Sequence, residues 1–161
     1  MGSRASLLKH PIHPMLVPFP IALWIFSLIS DVVYGLGWGG TLWNEMAFYT
    51  MAGGILGALA AAVPGLIDYL SMSDQQTSKI AKTHMIINLA IVGIFIADLW
   101  VRTMFAAGAG LPVVLSVIGV ALLGVSGWLG GELVYVHGVG VESSPERSPS
   151  HVRRTTSTTE K

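Results

Sequence analysis

The sequence predicts an all-α polytopic membrane protein: an antiparallel bundle of four transmembrane helices with both termini cytoplasmic. Three observations carry this. Of 161 residues, 52% are hydrophobic and only 11% charged, against about 25% charged in an ordinary soluble domain, and mean hydropathy is +0.65. Four windows are long enough, at about 20 mainly apolar residues, to cross a bilayer core. The links between them are short, which makes consecutive helices antiparallel neighbours.

The predicted spans cover residues 15–36, 46–68, 85–105 and 111–135. They lie inside a transmembrane domain of residues 15–137. It follows a cytoplasmic segment, 1–14, that carries an HPxHP motif, and precedes a tail, 138–161. The first span has a long apolar run with Pro18 and Pro20 inside it and no A-x-A cleavage pattern, so it reads as a retained helix. In the second, Gly53, Gly57, Ala61 and Gly65 recur every four residues, and in the fourth Gly127 and Gly131 do. Small residues at that spacing let helix backbones approach closely in lipid. These faces predict contacts within the bundle, with a homodimer as the alternative. The tail is rich in Ser, Thr, Pro and Arg and nearly free of apolar residues, a composition that reads as disordered.

Charge placement orients the chain. Arg4, Lys9, Lys79, Lys82, Arg147, Arg153, Arg154 and Lys161 fall on one side, and only Arg102 on the other. The positive-inside rule puts the first side in the cytoplasm, which gives a multi-pass membrane protein with both termini inside. Formal net charge is zero, so no bulk field attracts a polyanion and no nucleic-acid partner is expected. The absence of cysteine removes disulfides, thiolate metal sites and thiolate-ligated iron–sulfur clusters. Neither G-x-S-x-G nor His-Glu-x-x-His occurs, and whether the protein is an enzyme stays open.

Ionisable groups at membrane depth point to function. His10, His13, His84 and His137, with Asp68 and Glu132, fall at the cytoplasmic ends of the spans. Pro11 and Pro14 push His10 and His13 away from helical geometry and hold them on stiff backbone, and Pro14 suits a first helical position. Neutral imidazole is a common metal and haem ligand, and the two carboxylates suit either direct ligation or orienting the rings. At 100° per residue, His84, Asn88, Asp98 and Arg102 lie along one line of the third span. Asp98 and Arg102, spaced i, i+4, pair there, with Asp31 within reach. This supporting cluster reads as a structural ion-pair and hydrogen-bond group, with a proton path as the alternative.

Two stretches carry a resemblance. The run from His10 through Pro11, His13, Pro14, Pro18 and Pro20 to Ala22, with Asp31 beyond, resembles the opening of the bacterial membrane family catalogued as domain of unknown function 2231. The closing run Gly127-Trp128-Leu129-Gly130-Gly131-Glu132, ending Tyr135-Val136-His137-Gly138, is similar to that family's end. Pro64-Gly65-Leu66-Ile67-Asp68 and Thr83-His84-Met85 with Asn88 fit its middle. The resemblance implies the same four-span fold, a bacterial cytoplasmic (inner) membrane, and company with Rieske-type redox modules. The expected function is therefore haem b binding and electron transfer through His10, His13, His84 and His137, with a redox partner protein. The alternatives are a non-haem Zn, Fe or Cu site on those histidines with Asp68 and Glu132, and a non-catalytic membrane subunit or scaffold.

Overall fold

The computed structural model describes residues 4–8, 10–104 and 110–141. Most of the predicted tail lies outside the described residues, as do Lys9 and nearly all of the last link. A short antiparallel hairpin comes first: β1 (Ser6–Leu7) pairs with β2 (His10–Pro11), Ser6 opposite Pro11 and Leu7 opposite His10. Leu8 turns the chain at φ 50°. Helices α1 (Ile12–Leu16) and α2 (Pro18–Gly35) then form one span. Pro18 and Pro20 bring no N–H to the helical ladder. It continues around them through Val17 N–H to His13 O (3.1 Å) and Ile21 N–H to Val17 O (3.4 Å).

His13 corrects one expectation. It lies inside α1, in helical rather than extended backbone. Pro14 sits in the first turn, where no intrahelical N–H is required, so it leaves the helix intact. His10, by contrast, is in extended backbone.

Helices α3 (Thr41–Leu70) and α4 (Gln75–Met104) have 30 residues each, and α5 (Gly110–Tyr135) has 26. A 30-residue helix is about 45 Å long, well beyond the roughly 30 Å of a bilayer core. The helices therefore outrun the apolar windows. The largest extension is at the start of α4, where Asp74 caps a polar turn by accepting the Thr77 N–H at 2.7 Å. Past α5 the chain reverses at Gly138, whose φ of 63° favours glycine, and Val139 N–H reaches back to Leu133 O at 2.9 Å.

The four spans pack as two antiparallel hairpins, α2 with α3 and α4 with α5, joined along α2·α5 and α3·α4. Trp24, Met51, Ile55, Ile91, Phe95 and Leu123 form the core. Leu56, Val63, Leu89 and Trp128 are among the large apolar residues on the outer surface, the arrangement expected of a protein solvated by lipid. In α3, Gly53 faces Leu23, Gly57 faces Pro20, and Gly65 faces His13. These glycines are contacts within the bundle. The fourth span differs from expectation. Gly127 meets nothing and Gly131 only its own Tyr135, whereas Gly119 admits Phe95 and Gly130 admits His84. The register of the buried face decides this: Pro112, Ser116, Gly119, Leu123 and Ser126 recur at three- and four-residue steps, and Gly127 falls off that line.

Candidate functional site

His13 and His84 meet near one end of the bundle, ring centres 6.4 Å apart and planes at 89°. Each ring is fixed from behind in the same way. His13 Nδ1 lies 2.7 Å from Ala61 O, and His84 Nδ1 lies 3.0 Å from Ser126 O. A carbonyl oxygen only accepts, so each Nδ1 carries the proton in these bonds, and each neutral ring keeps its lone pair on Nε2.

Both docks share a local design. In a helix, the Cβ of residue i+4 tilts back over the carbonyl of residue i. The residue four places after Ala61 is Gly65, and four after Ser126 is Gly130. A Cβ on Gly65 would lie 2.8 Å from His13 Nδ1, and one on Gly130 3.3 Å from His84 Cε1. Glycine at these two positions opens the helix flank to an imidazole. Pro64 beside Gly65 supports the first dock, because a proline inside a helix leaves a carbonyl one turn earlier without its N–H partner and loosens the ladder there.

Asn88 braces the second ring. Its Nδ2 donates to His84 O at 2.8 Å and to Ser126 Oγ at 2.7 Å, and Ser126 Oγ lies 3.2 Å from His84 Nδ1. The other two histidines are engaged elsewhere. His10 is exposed, its Nδ1 2.9 Å from Leu8 O in its own hairpin. His137, just past α5, has Nδ1 3.2 Å from Thr77 Oγ1. The Thr77 hydroxyl donates to Asp74 Oδ2 at 2.6 Å, so it accepts from His137. Those Thr77 bonds hold the Asp74 carboxyl below its ordinary range, the hydroxyl first and the backbone N–H second. Asp68 Oδ1 accepts the Ala5 N–H at 3.0 Å and ties the first hairpin to the end of α3. Glu132 makes no side-chain hydrogen bond among the described residues, and no group of three or more His, Asp or Glu able to hold a metal ion forms among them. Of the four imidazoles, the structure brings two together.

A second polar cluster lies roughly 21 Å further along α4, taking the rise per residue from His84 to Asp98. Arg102 forks onto Asp31, Nη1 to Oδ1 at 2.7 Å and Nη2 to Oδ2 at 2.6 Å, and its Nε reaches Asp98 Oδ1 at 3.0 Å. Ser116 of α5 completes the group, its Oγ 2.8 Å from Asp98 Oδ2. Asp31, Asp98 and Arg102 are readable from the sequence. Ser116 and Ser126 are not singled out there, although both fall on the buried line of α5.

Comparison with curated proteins and with solved structures gives no match. The family described as "Predicted membrane protein (DUF2231)" matches residues 9–143, which include both histidine docks and the Asp/Arg cluster. The chain, a membrane protein by its four spans, belongs to that family.

Proposed function

We propose that the protein binds haem b, which His13 and His84 would hold, and serves electron transfer to a redox partner protein. The observation that carries this is the matched pair of imidazoles. Both have Nδ1 committed to a carbonyl, which leaves Nε2 as the donor, and a hydrogen bond behind the ring is how proteins orient ligating histidines. The donor number also favours haem. A structural zinc ion takes four protein ligands and a catalytic one three, whereas a porphyrin supplies four nitrogens and asks the protein for one or two. His13 and His84 would hold the iron, which supplies one-electron chemistry when bound. The chain's own part is to fix the two rings and keep water from them. Lys and Arg asymmetry supports a bacterial cytoplasmic membrane with both termini inside.

A second reading rests on the same bonds. Each one joins two helices of a hairpin, α1 to α3 and α4 to α5, so the pair also suits a helix lock in a non-catalytic membrane subunit. One preparation separates the readings: protein from haem-supplemented cells, purified in mild detergent, given an optical spectrum and metal analysis. A Soret band lost in H13A and in H84A but kept in H10A and H137A is the expected result. Stoichiometric Zn, Fe or Cu without that band would move the assignment to a non-haem ion. Neither colour nor metal, with H13A and H84A lowering only thermal stability, would leave the helix lock.

A further inference from the structure

The cluster at the other end of the bundle is unbalanced in charge. It holds two carboxylates and one guanidinium with side-chain exposures of 5% for Asp31, 0% for Asp98 and 8% for Arg102. A surplus charge taken out of water is costly unless something neutralises it. We propose that Asp31, Ser116 and Asp98 form a proton-binding site, with Asp98 the carboxylate that takes up and releases the proton. The proposal is independent of any ligand at the histidine pair.

The two carboxylates are held unequally. Both oxygens of Asp31 accept from the two-pronged Arg102 fork. Asp98 accepts only the single Nε–H on Oδ1, and its Oδ2 faces a hydroxyl. That hydroxyl has two settings. Ser116 Oγ lies 2.8 Å from Asp98 Oδ2 and 3.3 Å from Asp31 Oδ2. With Asp98 ionised, the Ser116 hydroxyl donates to Asp98 Oδ2. With a proton on Oδ2, Asp98 donates to Ser116 Oγ and the Ser116 hydroxyl turns to donate to Asp31 Oδ2. No heavy atom need move, and every group keeps a partner in both states. Uptake of one proton from water takes the formal charge of the cluster from −1 to zero, and release returns it to water.

The groups that meet Asp98 come from three helices: Asp31 on α2, Arg102 on α4 itself and Ser116 on α5. Arg102 Nη2 also lies 3.2 Å from Ser116 Oγ. Among the described residues α3 sends no hydrogen bond or ion pair to the cluster, and Glu45, near the start of α3, makes none with it.

Infrared difference spectroscopy between acid and alkaline pH, on the full chain in lipid, tests this. The expected result is a carboxylic-acid C=O band that disappears in D98N and shifts in D98E. D98N keeps a carbonyl oxygen to accept from Arg102 Nε and an amide N–H to donate to Ser116 Oγ, so it folds with near wild-type thermal stability, and D98E reports even if it does not. A band absent from the wild type overturns the proposal, because the cluster is then permanently charged. A band that survives D98N and D98E unchanged but is lost in D31N overturns the assignment to Asp98.

Discussion

The indole of Trp24 lies flat on the ring of Phe95, centres 4.3 Å apart and planes 10° from parallel. The contact joins α2 to α4 and so bridges the two hairpins, while Trp24 Nε1 donates to Met51 O on α3 at 3.2 Å. Phe95→Ala empties the middle of the core. The cost is about 3 kcal/mol, at the low end of the range for Phe to Ala, because lipid is as apolar as the vacated site and only packing is lost. Thermal unfolding in detergent reads it.

Gly119 lets Phe95 into that place, since a Cβ there would lie 2.7 Å from its Cε2 and Cζ. Gly119→Ala pushes against a ring already stacked on Trp24 and costs about 1–3 kcal/mol. Gly124→Ala is the control. Nothing lies within 4 Å of its added methyl, and a helical Gly to Ala change gains about 0.5–1 kcal/mol. Opposite signs in the same helix distinguish a steric effect from a propensity effect.

Gly65→Ala detaches His13 from Ala61 O, because the added carbon overlaps Nδ1 and Cε1. Gly130→Ala, with its nearest approach at 3.3 Å, disturbs His84 less. The expected order of change in the His13 and His84 ring signals by NMR is Gly65→Ala above Gly130→Ala. An equal effect would contradict the unequal distances.

Arg102→Ala leaves Asp31 and Asp98 facing each other, buried and without a cation. Breaking a buried pair from one side costs about 3–5 kcal/mol. Arg102→Lys retains the charge but not the two-pronged geometry, and costs less than Ala though more than nothing. The melting temperature of Arg102→Ala should recover on acidification, as added protons relieve the two carboxylates.

Asp74 gives a pH dependence of opposite sense. Its folded carboxyl titrates below the ordinary value of 3.8 because Thr77 donates to it twice. A depressed carboxylate stabilises the fold above its unfolded value, and that contribution disappears as pH falls through the folded one. Below about pH 4 the first turn of α4 should fray and the Thr77 contact with His137 loosen. A lower amide-exchange protection factor at Thr77 in acid, reproduced at neutral pH by Asp74→Ala, checks this.

What the sequence reveals here divides along a physical line. Span number follows from composition, and the Asp98–Arg102 pair from i, i+4 spacing, because both are properties of a single helix. Helix ends are less legible, since residues 75–84 are too polar for a membrane window yet helical once Asp74 caps them. The pairing of His13 with His84 depends on how two hairpins meet, which no spacing within one span encodes. The roles of Ser116 and Ser126 are hidden for a related reason: a serine in an apolar helix has the same composition whether it faces lipid or a partner, and only the step pattern of α5 separates the cases.

The twin histidine docks repeat one local arrangement in the two hairpins. In each half an imidazole of the first limb is seated on the second, beside a glycine four residues past the accepting carbonyl. The first limb of each hairpin crosses the membrane in the same direction. The two sides differ, however: Asn88 and the Ser126 hydroxyl brace His84 alone, so an asymmetric guest between the rings has two orientations of unequal energy.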